Sequence, residues 1–333
     1  MPNPPTISHM SPIGGYFGSE ECVGGIAPQW IKNAISVQSG RMALLYELQN
    51  RNPGTIWLPC YYCDSVPLLL NRLGYDLKFY GLTERYRAEL PSEITCNDVI
   101  VLVDYFGLTS QSVQMDISRF GPNNVIVDAC MSLWIHLESN VPTFFSPRKF
   151  FGIPDGGYLT NPSKSVLLDV ADSSFSEARA KHLKLRKIGK LEEGRKEFLS
   201  SEKTFFFEDE PKVMSKLTRH LISNIDFNKA YTKRRENFSH LKNNLAEFEI
   251  ILSEIPEFTA PLCLPVPHEN SVYIRENLAK KGIFCAHYWP NMTILEGDLK
   301  GKQLSDHTIF LPIDHRYSEC DMDYITLELK RLL

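Results

Sequence analysis

Phe144-Phe145-Ser146-Pro147-Arg148-Lys149-Phe150-Phe151-Gly152-Ile153-Pro154-Asp155-Gly156-Gly157-Tyr158-Leu159 sets one lysine among aromatic residues and follows it with a Gly-Gly pair. A lysine whose ammonium is poorly solvated gives up its proton readily and serves as a nucleophile. The competing reading is a surface lysine whose stem packs on phenylalanines while its head stays in water. The stretch alone does not choose between them. Pro154-Asp155-Gly156-Gly157 reads as a hairpin turn that returns the chain to a sheet.

A second element upstream shifts the balance. Gly121-Pro122-Asn123-Asn124 is a turn signal, and it feeds the aliphatic run Val125-Ile126-Val127, which ends in Asp128. Branched aliphatics after a turn predict a short buried strand. A carboxylate at the C-terminal end of such a strand lies where open α/β sheets bind ligands. A reactive lysine amine and a carboxylate able to keep a pyridine nitrogen protonated are the two groups that pyridoxal 5'-phosphate (PLP) chemistry requires. Asp128 also suits the cap of a helix over residues 129–134, and the two roles are compatible.

The chain has 333 residues, enough for a large core and a division into one large and one small unit. A hydrophobic fraction of 43% and a charged fraction of 23% match an ordinary soluble globular protein. The net charge of −4 provides no global field favouring nucleic acid. No apolar run approaches the roughly 20 residues that span a bilayer, and residues 1–6 lack the pattern of a signal peptide. Eight scattered cysteines therefore read as reduced thiols of a cytoplasmic protein. Cys60-Tyr61-Tyr62-Cys63 has no second closely spaced pair with which to build a zinc site.

The first half alternates strand-like and helix-like segments. Strands are predicted at 36–38, 55–58, 76–80, 98–106 and 125–128, with helices at 42–48 and 64–73. The nearly continuous apolar run 98–106 is typical of a strand covered on both faces. This alternation predicts a three-layer α/β/α architecture around a mostly parallel sheet, in a large domain spanning residues 1–215. Residues 171–218 read as helical and partly exposed, and the basic run 179–187 as a solvated helix face. A smaller C-terminal α+β domain, 216–333, opens with a long helix over 226–248. It continues through strands at 260–266 and 283–285 to a final helix over 321–332.

Taken in order, these features resemble the PLP-dependent enzymes of fold type I, and among them the DegT/DnrJ/StrS-type aminotransferases. The features are Ser39, Gly40 and Ala43 at a helix start, Leu58, Pro59, Tyr61 and Tyr62 at a strand end, then Asp128, Lys149, Gly156 and Gly157. The likeness spans residues 12–330 and is strongest in the first 160. It implies an aminotransferase that moves an amino group from an amino-acid donor to a keto substrate, such as a nucleotide-linked keto sugar. Lys149 would form the internal aldimine and shuttle protons, and Asp128 would hold the pyridinium nitrogen. Ser39, Gly40 and Arg41 would grip the phosphate, a placement that helix-start anion affinity also favours. Tyr61 or Tyr62 would stack on the ring, and Ser146 would add a phosphate contact. A homodimer is implied as well.

The chain departs from the family pattern at Met131, where a hydrogen-bonding Gln or His is usual, and at Arg41, where a Thr is usual. Near the C-terminus, His315, Arg316 and Tyr317 form a cluster suited to binding a substrate carboxylate or phosphate, and Trp289 belongs to a loop expected to line the same cleft. The Gly-rich segment 13–18 is expected to fold against the cleft or a partner. Two alternatives stay open: a PLP enzyme of another reaction type (dehydratase, lyase or acyl transfer), and a non-catalytic binding or regulatory protein that keeps the fold.

Overall fold

The aliphatic run Val99–Val103 is buried along its whole length, as a strand covered on both faces must be. It ends sharply. Phe106 (φ 59°) and Gly107 (φ 73°) turn the chain out of the sheet, so the predicted strand 98–106 stops at Val103. The computed structural model describes residues 12–333 apart from 21–23, 26, 139, 170–172 and 294–299; Cys22 and positions 171–172 of the predicted helical region lie outside the described residues.

In chain order the elements are β1 (Ile13–Gly14), α1 (Gln29–Asn33), β2 (Ile35–Val37), α2 (Gly40–Arg51), β3 (Thr55–Pro59), α3 (Ser65–Arg72), β4 (Asp76–Leu82), β5 (Ala88–Glu89) and β6 (Val99–Val103). There follow α4 (Ser110–Phe120), β7 (Val125–Asp128), β8 (Thr143–Phe145), β9 (Gly157–Thr160), α5 (Ser173–Lys187), α6 (Leu191–Phe206), α7 (Lys216–Ile222) and α8 (Phe227–Asn244). The chain closes with β10 (Cys263–Pro267), α9 (Ser271–Lys280), β11 (Ile283–Phe284), α10 (Lys300–Asp306), β12 (Thr308–Pro312) and α11 (Glu319–Lys330).

Eight strands form one sheet in the order β2-β9-β8-β7-β6-β3-β4-β5. From β8 across to β4 all neighbours are parallel; β9 is antiparallel to β8 and β2, and β5 to β4. This is the expected mostly parallel α/β sheet, flanked by helices. In the C-terminal region, β10 and β12 form an antiparallel pair against which α8 and α9 pack, with α11 on α8. The short strand β1 crosses from the N-terminus to pair with β11.

Helix α2 illustrates how the sequence sets an element that later matters. Ser39 caps it by accepting from the Met42 amide at 3.3 Å, and Asn52 ends it in the left-handed region at φ 50°. Most of its side chains are buried, because it is sandwiched rather than laid on a surface. The turn Pro154–Gly157 sends β9 back against the start of this helix. A Cβ on Gly157 would lie 2.3 Å from the Ser39 carbonyl carbon, so only glycine permits the approach.

Two expectations change. Residues 129–134 form turns instead of a helix, because the Asp128 side chain takes the Cys130 amide at 2.7 Å and holds a local turn. The basic run 179–187 is not a uniformly solvated face. Arg179, His182 and Leu183 are buried while Lys181, Lys184 and Lys187 are exposed, so α5 is amphipathic and turns part of its charge inward. Among the described residues no helix is long and apolar enough to cross a membrane.

Candidate active site

The parallel strands β3, β6, β7 and β8 end at Pro59, Val103, Asp128 and Phe145 on one edge of the sheet, the edge at which open α/β folds place ligands. A cavity of about 180 Å³ lies there. It brings together Ser39, Gly40, Arg41, Tyr62, Asp128, Ser146, Lys149 and Trp289. Lys149 ends a 3₁₀ turn begun at Pro147, and its amide donates to the Ser146 carbonyl at 3.1 Å. Its Nζ lies 5.6 Å from the Trp289 ring centroid. The phenylalanines that follow it anchor the turn: Phe150 packs edge-on to Trp134, and Phe151 to Phe227.

Asp128 is buried with both oxygens occupied. Oδ2 accepts from the Tyr62 hydroxyl at 2.5 Å and Oδ1 from the Cys130 amide. Burial and the adjacent Asp128 charge push the Tyr62 phenol well above its ordinary pKa, so it remains a donor. Of the two tyrosines, Tyr62 lines the cavity. Tyr61 is fully buried beside it, stacked on Tyr105 at 5.9 Å and donating to the Tyr288 carbonyl at 3.3 Å. Cys130 and Met131 also face the cavity.

The opposite end is built on the first turn of α2, whose leading amides have no partner within the helix. A Cβ on Gly40 would lie 2.5 Å from Cys130 Sγ, so glycine keeps this end open to the backbone. Arg41 donates to the carbonyls of Ser65 and Phe205, and burial lowers its pKa. The donor set suits an oxyanion at the helix start and a protonated ring nitrogen at Asp128, and Lys149 lines the same cavity.

The roof comes from α6, which contributes Glu202, Phe205 and Phe206. Glu202 pairs with Arg148, and Phe205 lies between two guanidinium groups, with Arg148 Cζ 4.0 Å and Arg179 Cζ 3.3 Å from its ring centroid. Sequence reasoning missed this roof; its one signal was the helical spacing of Ser201 and Phe205, the buried residues in the last two turns of α6. A second cavity of about 430 Å³ adjoins the first and shares Ser146, Arg148, Lys149 and Glu202 with it. Its far walls include Tyr16, His182, Phe198, Arg234 and Tyr288. Gly14 to Phe17 line it as well, so the Gly-rich segment folds against the cleft within its own chain. Burial, reinforced by the Arg148 charge, pushes His182 down to about 4, which keeps it neutral.

His315, Arg316 and Tyr317 are not brought to either of these cavities. Arg316 makes a two-pronged pair with Asp314 at 2.6 and 2.9 Å. His315 lies 3.4 Å from Glu20, and the Tyr317 hydroxyl accepts from the Gly14 amide at 2.6 Å. His315 and Arg316 instead face a separate cavity with Glu20, Lys187 and Lys229. Burial alone would raise the Asp314 carboxyl, but the Arg316 charge and hydrogen bonds outweigh it and bring it down to about 2. The folded value thus lies below the unfolded value of about 3.9. The stabilisation is complete above about pH 5, amounts to about 2.5 kcal/mol, and fades as pH falls toward about 2. The stability gap between the natural protein and Asp314→Asn is expected to shrink over that acid range in denaturant titrations. A gap that stays constant with pH overturns this assignment.

The fold is that of the PLP-dependent transferases of fold type I. It is similar to solved structures that include aminotransferases, one of them of the DegT/DnrJ/EryC1/StrS type. DesV from S. venezuelae, solved with a ketimine intermediate, superimposes with a TM-score of 0.62 at 14% identity over 90% of this chain and 84% of its own. TlmJ from Streptoalloteichus hindustanus gives 0.63 at 14% identity over 90% and 85%. A DegT DnrJ EryC1 StrS aminotransferase from Brucella abortus gives 0.58 at 15% identity over 90% and 85%. No family model and no curated protein matches the sequence.

Proposed function

We propose that the chain is a PLP-dependent aminotransferase that moves an amino group from an amino-acid donor to a keto substrate, with a nucleotide-linked keto sugar as the acceptor class. The observation that carries this is the convergence of Lys149, Asp128, Tyr62 and the Ser39–Arg41 helix start on one cavity. The residues fit the cofactor. Gly40 keeps the helix amides open for its phosphate, Asp128 supplies a buried carboxylate for its ring nitrogen, and Lys149 lines the same cavity. When bound, PLP serves as the electron sink and amino carrier. The chain's own residues do the rest. Lys149 holds the cofactor and moves the proton at the substrate carbon. Asp128 fixes the ring-nitrogen proton, Tyr62 supports Asp128 and presents a flat ring, and α6 excludes water from above. A sugar acceptor is supported by the similar structures, which include the sugar aminotransferase CalS13 from Micromonospora echinospora and a Streptococcus pneumoniae protein solved in PLP and PMP forms.

The test is direct. The protein is purified with PLP, its visible absorbance recorded, and borohydride added before peptide mapping. A pyridoxyl group on Lys149 supports the proposal; a colourless protein that labels nowhere sinks it.

We further propose that it works as a homodimer. α3 meets the segment just after α6 where Arg72 donates to the Glu208 carbonyl at 3.2 Å, and Leu68 of α3 and Phe207 of that segment are left 48% and 72% exposed. A twofold partner would cover these side chains. A monomer in sedimentation at micromolar concentration counts against it.

A further inference from the structure

The two cavities meet at a charged seam formed by Arg148, on the turn that carries Lys149, and Glu202, on the roof helix. Three guanidinium groups converge around Phe205. Arg148 and Arg179 lie against its ring, and Arg41 donates to its carbonyl. Two carboxylates answer them: Glu202 pairs with Arg148, and Glu208 lies 3.1 Å from Arg179. Around Phe205 the three guanidinium groups thus outnumber these two carboxylates. In addition, the buried Nε atoms of Arg148 and Arg41 have no hydrogen-bond partner among the described residues. A buried N–H without a partner is costly, and a guanidinium edge with a spare donor matches a carboxylate or phosphate oxygen.

Glu202 is suited to leave. Its side chain is the more exposed of the pair, 42% against 17% for Arg148, so a route to water is open to it once an entering anion takes over its place on Arg148. We infer that Arg148 is an oxyanion-binding residue of this site and that Glu202 is its exchangeable internal counter-ion, displaced when a carboxylate or phosphate enters. The identity of that oxyanion rests on the proposed function. It is either the carboxylate of the amino donor, which flanks the carbon whose proton Lys149 handles, or the phosphate of the cofactor. Exchange of one carboxylate for another keeps Arg148 paired throughout and avoids stranding a buried charge.

The inference predicts opposite signs for the two partners, which a merely structural ion pair does not. Full-length protein, with and without added PLP, is titrated calorimetrically with glutarate and separately with inorganic phosphate. Neither probe carries an amine, so no turnover intervenes. Glu202→Gln removes the competing carboxylate and is expected to bind the matching anion about tenfold more tightly than the natural protein. Arg148→Gln is expected to bind it at least about tenfold more weakly. Tightening toward glutarate that persists with PLP present assigns the site to the donor carboxylate. Tightening toward phosphate that PLP abolishes assigns it to the cofactor phosphate. If Glu202→Gln fails to tighten either anion, the inference is overturned, whatever Arg148→Gln does and whether or not that variant folds. If the natural protein takes up no PLP, the proposed function fails, yet the anion titrations still decide the role of Arg148.

Discussion

Lys149→Ala is expected to lower kcat by about 10³-fold or more and to abolish borohydride-stable labelling, while the protein still folds. Several contributions are lost together: the covalent hold on the cofactor, and the group that moves the proton at the reacting carbon, itself worth about 10² to 10⁴. Folding should survive because Lys149 is only partly buried and no ion pair of it is formed among the described residues. The turn is instead fixed by Phe150 and Phe151 in the core and by Pro147 at its start. The measurement is the rate with a series of amino donors, alongside the visible spectrum and the unfolding midpoint. A variant that retains natural activity removes Lys149 from the chemistry and the aminotransferase proposal with it.

Asp128→Asn is the second large effect. The substitution keeps the side-chain shape and can still accept from Cys130 or Tyr62, but it removes the negative charge. A neutral amide cannot hold a proton on a pyridine nitrogen, so the ring loses its capacity as an electron sink. Loss of a charged hydrogen-bond partner costs about 3 kcal/mol at most, which corresponds to roughly a hundredfold in kcat. Tyr62→Phe should cost less, because it deletes one donor to Asp128 and leaves the charge in place. Equal rates for Asp128→Asn and the natural protein, with the cofactor bound in both, contradict the assigned role.

Much of the floor of the site was legible in the chain. Val125–Asp128 announces itself by a turn, a β-branched run and a terminal carboxylate, each a local signal. Ser39 and Gly40 mark a helix start for equally local reasons. Strands β8 and β9 were harder to see, since they are short and gain their partners only by pairing with each other and with distant β7 and β2. The roof escaped notice because it depends on tertiary contact. Nothing near Glu202 in the sequence points to Arg148, and Arg179 reads as one charge in a basic run until α5 turns it onto Phe205. The cluster at His315, Arg316 and Tyr317 has the opposite lesson. Its chemistry invites a ligand, but Asp314, Glu20 and Gly14 engage it from within the chain. Propinquity in sequence does not reveal which groups are already occupied.

The separate origins of floor and roof also bear on how such a protein can diverge. The groups proposed to face the cofactor, Ser39, Tyr62, Asp128 and Lys149, all belong to the sheet region, in or next to strand and helix ends held by the core. The surfaces above them come from later in the chain: Glu202 and Phe205 from a helix, Trp289 from a loop. Mutations in those later segments can reshape what enters without disturbing the ends of β7 and β8, because the strands do not depend on them for pairing. The two layers can drift at different speeds, so a descendant could take new ligands by rewriting α6 and the 285–289 loop alone.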